Sequence, residues 1–278
     1  MMELQLAAAT LCYFLAHILR AARIQAFLLF RRPAFADVGW AHFYTALLSF
    51  VIPFKLGELF RLNAFRSLSG SWRGGIAAFA LEKVLDSAAM AGAISLLWLK
   101  GGASGSAVRV IGAAAVIVLV GLATMKAINN TLSLPLRKLL LESSRSPRSL
   151  YVLRFLKQLD LAWESLKTVA EGRISFLSIL TLLIWALELF AFALLGNTTG
   201  GDLIARFLES LGGALTVDWP SRIITSVWHQ LALVVLIICT LLCWLVARSK
   251  SIRAGAEAQP NENTARHSAL KRFEHRSD

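Results

Sequence analysis

Long apolar runs decide most of what this chain can become. The clearest of them, Ile223 to Ala247, contains no Asp, Glu, Lys or Arg, and about 20 apolar residues in a helix suffice to cross ~30 Å of hydrocarbon. Other long apolar runs precede it, so membrane-spanning helices are the expected elements rather than the buried helices of a water-soluble core. The composition agrees. Of the 278 residues, 56% are hydrophobic and 17% charged, with a mean hydropathy of +0.62, far more apolar than a soluble domain of this size.

The net charge of +12 does not point to nucleic acid, because the Lys and Arg residues sit between apolar runs rather than along one soluble face. An anionic lipid surface is the simpler partner. Cys12, Cys239 and Cys243 all fall inside apolar runs, where a thiol behaves as a small hydrophobe, so neither a disulfide framework nor a zinc spacing is implied. No cofactor and no metal are expected. The first run, Leu4 to Leu19, follows Met-Met-Glu instead of a basic segment and has no small-x-small site before Arg20. A retained first helix is expected over a cleaved signal.

Charge placement then orders the chain. Arg20, Arg23, Arg31 and Arg32 read as a basic cytoplasmic loop after the first helix, which puts the N-terminus outside. The chain is apolar from Trp40 to Ile52, and a polar-punctuated stretch then runs from Pro53 to Arg66. Residues 53–66 read as a broken or re-entrant helix, since Pro53 removes a backbone donor and Gly57 loosens the helix. Ile76 to Leu99 reads as a span, 101–106 as an outer Gly/Ser loop, and Val108 to Met125 as a returning span. The basic segment 126–173 is expected in the cytoplasm. There Leu150, Leu153, Leu156, Leu161 and Leu166 recur at near-helical spacing, as in a helix lying on an anionic leaflet or a solvated helix between spans. Ile174 to Leu195 spans outward, and Asn197 to Arg222 reads as an external segment with a short interfacial helix marked by Leu203, Phe207, Leu208 and Leu211. The last span returns inward. The expected fold is therefore all-α, a polytopic membrane bundle of about six spans over residues 1–247, with a basic, disordered cytoplasmic tail at 248–278.

Charges inside such a bundle carry the functional information. Glu82, Lys83 and Asp86 lie in the span Ile76 to Leu99, and at mid-helix three such residues cost up to ~8 to 10 kcal/mol, against ~3 to 6 kcal/mol returned by the apolar residues around them. That helix needs polar partners. Its three charges share one face, with an excess of acid, whereas Lys55, Glu58 and Arg61 repeat at three-residue spacing with an excess of base. The two clusters are complementary, and packed together they form either a polar site where Lys55 and Arg61 meet a phosphate headgroup, or a lock between two helices. Glu188 sits mid-span beside Trp185 and is expected to face the bundle interior, either coupling protons or, as a neutral hydrogen-bonded acid, packing helices. His17 and Arg20 read as anchors at the inner interface, and His229 with Gln230 as an interhelical hydrogen-bonding pair.

Enzyme signatures are missing from the sequence: there is no GxSxG, no Walker loop, no HExxH and no dinucleotide-binding glycine pattern. A membrane-embedded transferase using Glu82 or Asp86 as base lacks a partner group.

The segment Pro53-Phe-Lys55-Leu-Gly57-Glu58-Leu-Phe-Arg61, followed by Glu82-Lys83-Val-Leu-Asp86, resembles the transmembrane region of lysylphosphatidylglycerol synthases, also called flippase-like domain proteins. The family pattern there is Pro-x-Arg-x-Gly-Glu-x-x-Arg and then Glu-Arg-x-x-Asp. Lys55 and Lys83 stand where the family usually has Arg, which keeps the charge and loses the bidentate fork. Arg20 to Arg23 and Trp185 to Glu188 fit as well, so the resemblance covers most of Leu4 to Gly196. Beyond it the chain has Asp218-Trp-Pro220 and one span, a departure from the Pro/Gly-rich stretch and further helices common in the family. The resemblance implies a flippase-like role, binding or moving an anionic or polyprenyl-linked lipid. No aminoacyl-transferase domain is recognised, so the expectation is transport, or a non-catalytic partnership with an enzyme of envelope lipid or glycan synthesis, rather than an enzyme. Lys55 and Arg61 are the expected headgroup ligands, with Glu58, Glu82, Lys83 and Asp86 supporting them.

Overall fold

The computed structural model describes residues 2–29, 31–52, 56–99, 163–196, 201–213 and 226–258, with isolated positions between 112 and 161. Every regular element among the described residues is a helix: α1 (Met2–Phe27), α2 (Phe35–Val51), α3 (Gly57–Ser69), α4 (Trp72–Leu99), α5 (Ile174–Gly196), α6 (Gly201–Gly213) and α7 (Val227–Ala258). A further helical stretch at 163–170 leads into the turn before α5. Among the described residues three helices are long and apolar enough to cross a membrane by themselves: α1, α5 and the Val227–Ser249 part of α7. α2, with 17 residues, is slightly short, and α4, with 28 residues, is long enough but carries the mid-helix charges.

The polar break after α2 has a direct cause. A proline disfavours the helical region for the residue before it, and Ile52 accordingly turns extended (φ −83°, ψ 123°) while its N–H still bonds Leu48 O at 2.9 Å. Pro53 and Lys55 themselves lie outside the described residues. The chain resumes as α3, antiparallel to α2 and in close contact with it: a Cβ on Gly57 would overlap the Ser49 backbone. Glu58 and Arg66 lie in the first and last turns of α3, each at the end its charge suits. The helix then stops at Gly70 with φ 68°, a conformation glycine adopts without strain. Gly70 lies against the Arg31 guanidinium, so the α2–α3 hairpin enters and leaves at the same end of the bundle, which is the re-entrant path.

α1 packs antiparallel to α5 and against α2, α2 packs against α7, and α3 packs against α4. Two apolar clusters sit at different heights. One joins Ala9, Tyr13, Phe43, Ala191, Phe207 and Trp228; the other joins Ile24, Phe27, Val38, Phe65, Leu81 and Leu177. The interfacial helix expected near residue 207 is α6, which buries Phe207 and Leu208 against α5, α7 and α4. Outward faces are apolar: Ile179, Leu182 and Phe190 on α5 and Ile238, Leu241 and Leu242 on α7 are exposed, whereas Thr181 and Glu188 point inward. That inside-out arrangement is what hydrocarbon selects.

Two expectations are corrected here. Arg20 and Arg23 do not form a loop: α1 continues through both to Phe27, because each guanidinium finds carboxylates inside the bundle and the helix need not end where the hydropathy does. α7 likewise runs on to Ala258, past the boundary expected at Ala247. The outer loop at 101–106 and the segment beyond 258 lie outside the described residues, as do most of the span at 108–125 and most of the leucine-bearing segment at 150–161. Of those leucines, Leu166 packs with Trp163 onto Ala77 of α4.

Candidate functional site: a buried arginine–carboxylate layer

Between the two apolar clusters runs a layer of polar side chains drawn from five helices. Its centre is Arg23 of α1, fully buried. One terminal nitrogen of Arg23 donates to Asp86 Oδ1 at 2.8 Å and to Thr181 Oγ1 at 2.9 Å, and the other donates to Glu82 Oε1 and Asp86 Oδ2, each at 3.2 Å. Glu82, 2% exposed, is shared: Arg61 of α3 donates its Nε to Glu82 Oε2 at 3.1 Å and an Nη to Oε1. Glu82 thus ties α1 and α3 to α4. Helical periodicity explains the convergence, since Glu82 and Asp86 are one turn apart on α4 and present their carboxylates to the same arginine.

Arg20 forms the second fork, donating to Glu188 at 2.7 and 2.9 Å, with its guanidinium over the Trp185 ring at 5.7 Å. Trp185 in turn donates its indole N–H to Asp86 Oδ1 at 3.3 Å. Glu188 is therefore an ion-pair partner of Arg20 and not an isolated acid. Three guanidinium groups face three carboxylates, so the layer is neutral as a unit, the condition under which charges persist away from water. Lys83 turns away from Asp86 and pairs with Glu58 at 2.7 Å.

The layer continues through two histidines. Arg61 approaches His42 Nδ1 of α2 at 3.4 Å, and His42 Nε2 lies 3.0 Å from His17 Nδ1 of α1. His17 and His42 are 3% and 1% exposed, so His17 and Arg20 belong to the interior and not to an interface. The two clusters of the sequence reading thus meet at Arg61–Glu82 and Lys83–Glu58, while Lys55 lies outside the described residues. Arg20, Arg23, His17 and His42 are the members that reading missed as a group. The signal was the spacing His17, Arg20, Arg23, three residues apart, a single stripe once the helix is extended past Leu19.

Among the described residues no group of three His, Cys, Asp or Glu is placed to hold a metal ion. Cys239 is buried near Tyr13 and Cys243 borders Gly39. His229 lies on α7 with its ring 6.1 Å from that of Phe50.

No curated protein and no solved structure matches the chain. One family model does, that of the lysylphosphatidylglycerol synthase TM region, over residues 4–205, a range that includes every member of the charged layer. This is a multi-pass membrane protein of the lysylphosphatidylglycerol synthase transmembrane-region family, tied by that membership to lipid metabolism.

Proposed function

We propose that this protein binds or translocates an anionic or polyprenyl-linked lipid, with Lys55 and Arg61 engaging the phosphate of the headgroup and Glu58, Glu82, Lys83 and Asp86 setting their geometry. The neutral arginine–carboxylate layer carries the reading. Guanidinium forks matched to carboxylates are also matched to phosphate, and the layer is not sealed: the Arg20 and Asp86 side chains keep 18% and 20% of their exposure. Arg61 stands one turn into α3, just behind the break that begins at Pro53. The role is non-enzymatic in this reading, since both carboxylates available as a base already accept hydrogen bonds from arginine. The protein sits in the inner membrane with its N-terminus outside and its tail in the cytoplasm.

Lipid analysis of the purified protein tests the proposal. An anionic lipid is expected to co-purify with the wild type and to disappear from Lys55→Ala/Arg61→Ala at matched abundance. Equal bulk lipid in both overturns it. A second reading, a non-catalytic membrane partner of an envelope lipid or glycan-synthesis enzyme, is favoured by one observation: Arg23 and Arg61 already have carboxylate partners, so the layer works as a helix lock. On that reading the same variant is depleted from the membrane rather than emptied of lipid.

A further inference from the structure

The hydrogen bonds of the histidine pair have only one consistent direction. An arginine donates and never accepts, so Arg61 makes His42 Nδ1 an acceptor. A neutral imidazole with an accepting Nδ1 carries its proton on Nε2. His42 Nε2–H therefore donates across the 3.0 Å contact to His17 Nδ1, which leaves the proton of His17 on its own Nε2. That atom is buried and has no hydrogen-bond partner. The result is a directed chain, Arg61 to His42 to His17, in which both rings are neutral.

A second proton on either ring breaks this order. On His42 it sets a donor against the Arg61 donor, and on His17 it sets a donor against His42 Nε2–H. It also changes the charge of the layer. The groups facing the pair are Tyr13, Arg20 and Arg23 from α1 and Arg61 from α3, and behind those arginines stand the carboxylates that hold them, Glu82 and Asp86 from α4 and Glu188 from α5. Three arginines and three carboxylates balance, so one added proton leaves a single positive charge, and one phosphodiester anion restores neutrality.

We propose that the His17–His42 pair takes up one proton for each anionic phosphodiester headgroup that binds at Arg61, so that lipid binding and protonation are coupled. The inference rests on the lipid-binding reading above and moves the coupling role away from Glu188, which is held by Arg20. Linkage sets the sign and limit: affinity rises as pH falls, by at most tenfold per pH unit for one proton.

The test is binding of short-chain phosphatidylglycerol to the purified full chain in detergent between pH 5 and 8. Inorganic phosphate alone and short-chain phosphatidylcholine serve as comparison arms. For the wild type, log affinity is expected to fall with a slope approaching one per pH unit over part of this range. The double variant His17→Asn/His42→Gln is expected to bind with a flat profile, because its amides keep the same donor and acceptor directions and cannot titrate. Nitrogen-15 spectra of histidine-labelled protein add an independent reading: for this pair, two neutral rings that both carry their proton on Nε2 without lipid, and one doubly protonated ring at saturation. Should the double variant fail to fold, the single His17→Asn spectrum and profile carry the test, with the slope reduced. Binding that ignores pH in the wild type, or a slope that survives in the double variant, overturns the coupling and leaves the lipid reading standing, with Lys55 as the counter-charge. Absence of phosphatidylglycerol binding at every pH overturns the coupling and the anionic-phospholipid form of the lipid reading. Equal binding of inorganic phosphate shows that the phosphate group, and not the lipid, is what the site reads, and overturns the lipid part.

Discussion

Arg20 and Arg23 differ in how many partners depend on them. Arg20 serves Glu188 with both terminal nitrogens, so removing it strands one carboxylate that is 4% exposed. Breaking a buried pair from one side costs about 3–5 kcal/mol, whereas removing both partners costs far less. Arg20→Met is therefore expected to lower the thermal midpoint in detergent sharply, and Arg20→Met/Glu188→Met to recover most of the loss. A double variant no more stable than the single one contradicts the pairing. Arg23 is the larger hub, bridging Glu82, Asp86 and Thr181. Arg23→Met leaves Asp86 with only the Trp185 indole among the hydrogen bonds above and is expected to cost at least as much as Arg20→Met.

At the scale of elements, the α2–α3 hairpin is the part whose shape is least forgiving. Pro53 ends α2, but the return path depends on Gly57, where any side chain would strike the backbone of Ser49 and Leu48. Gly57→Ala is expected to destabilise by about 1–3 kcal/mol, the usual range for overpacking, and to loosen Arg61 from Glu82, since both ride on the seating of α3. Gly92, where an added Cβ meets nothing, is the control: Gly92→Ala is expected to be neutral or slightly stabilising in mid-helix. Comparable melting losses for the two changes would show that the close approach at Gly57 is unimportant.

For the whole molecule, the expected orientation follows from which end carries the arginines outside the charged layer. Arg31 and Arg66 lie near the turn at Gly70, and Arg173 caps the same end by donating to Ala26 O at 3.2 Å. By the positive-inside rule that end is the one expected on the cytoplasmic side. α7 runs antiparallel to α2, with Phe50 near His229 and Gly39 near Cys243, so its C-terminal end also lies there. A fluorescent protein fused after Asp278 is expected to fold and emit, and an alkaline phosphatase fused at the same place to be inactive. The opposite pair of results reverses the orientation.

Apolar run length and the motif pairing Pro53 to Arg61 with Glu82 to Asp86 were enough, as sequence alone, to determine an all-helical membrane bundle, the interruption after Ile52 and the family. Both are local signals, set by how many apolar residues cover a length of hydrocarbon and by what a proline does to its neighbour. The charged layer was only half legible. Glu82, Asp86 and Glu188 stood out because each is costly in an apolar run, and Arg61 because it repeats with Lys55 and Glu58 at three-residue spacing. Arg20 and Arg23 did not, because arginines at the end of such a run look the same whether they meet water or carboxylates. Which of those two they meet depends on residues more than 50 positions away, Asp86 and Glu188. The pairing of His17 with His42 and the sharing of Glu82 between two arginines exist only once α1, α2, α3 and α4 are side by side, since ion pairing and tautomer direction are properties of distances that the order of residues does not contain.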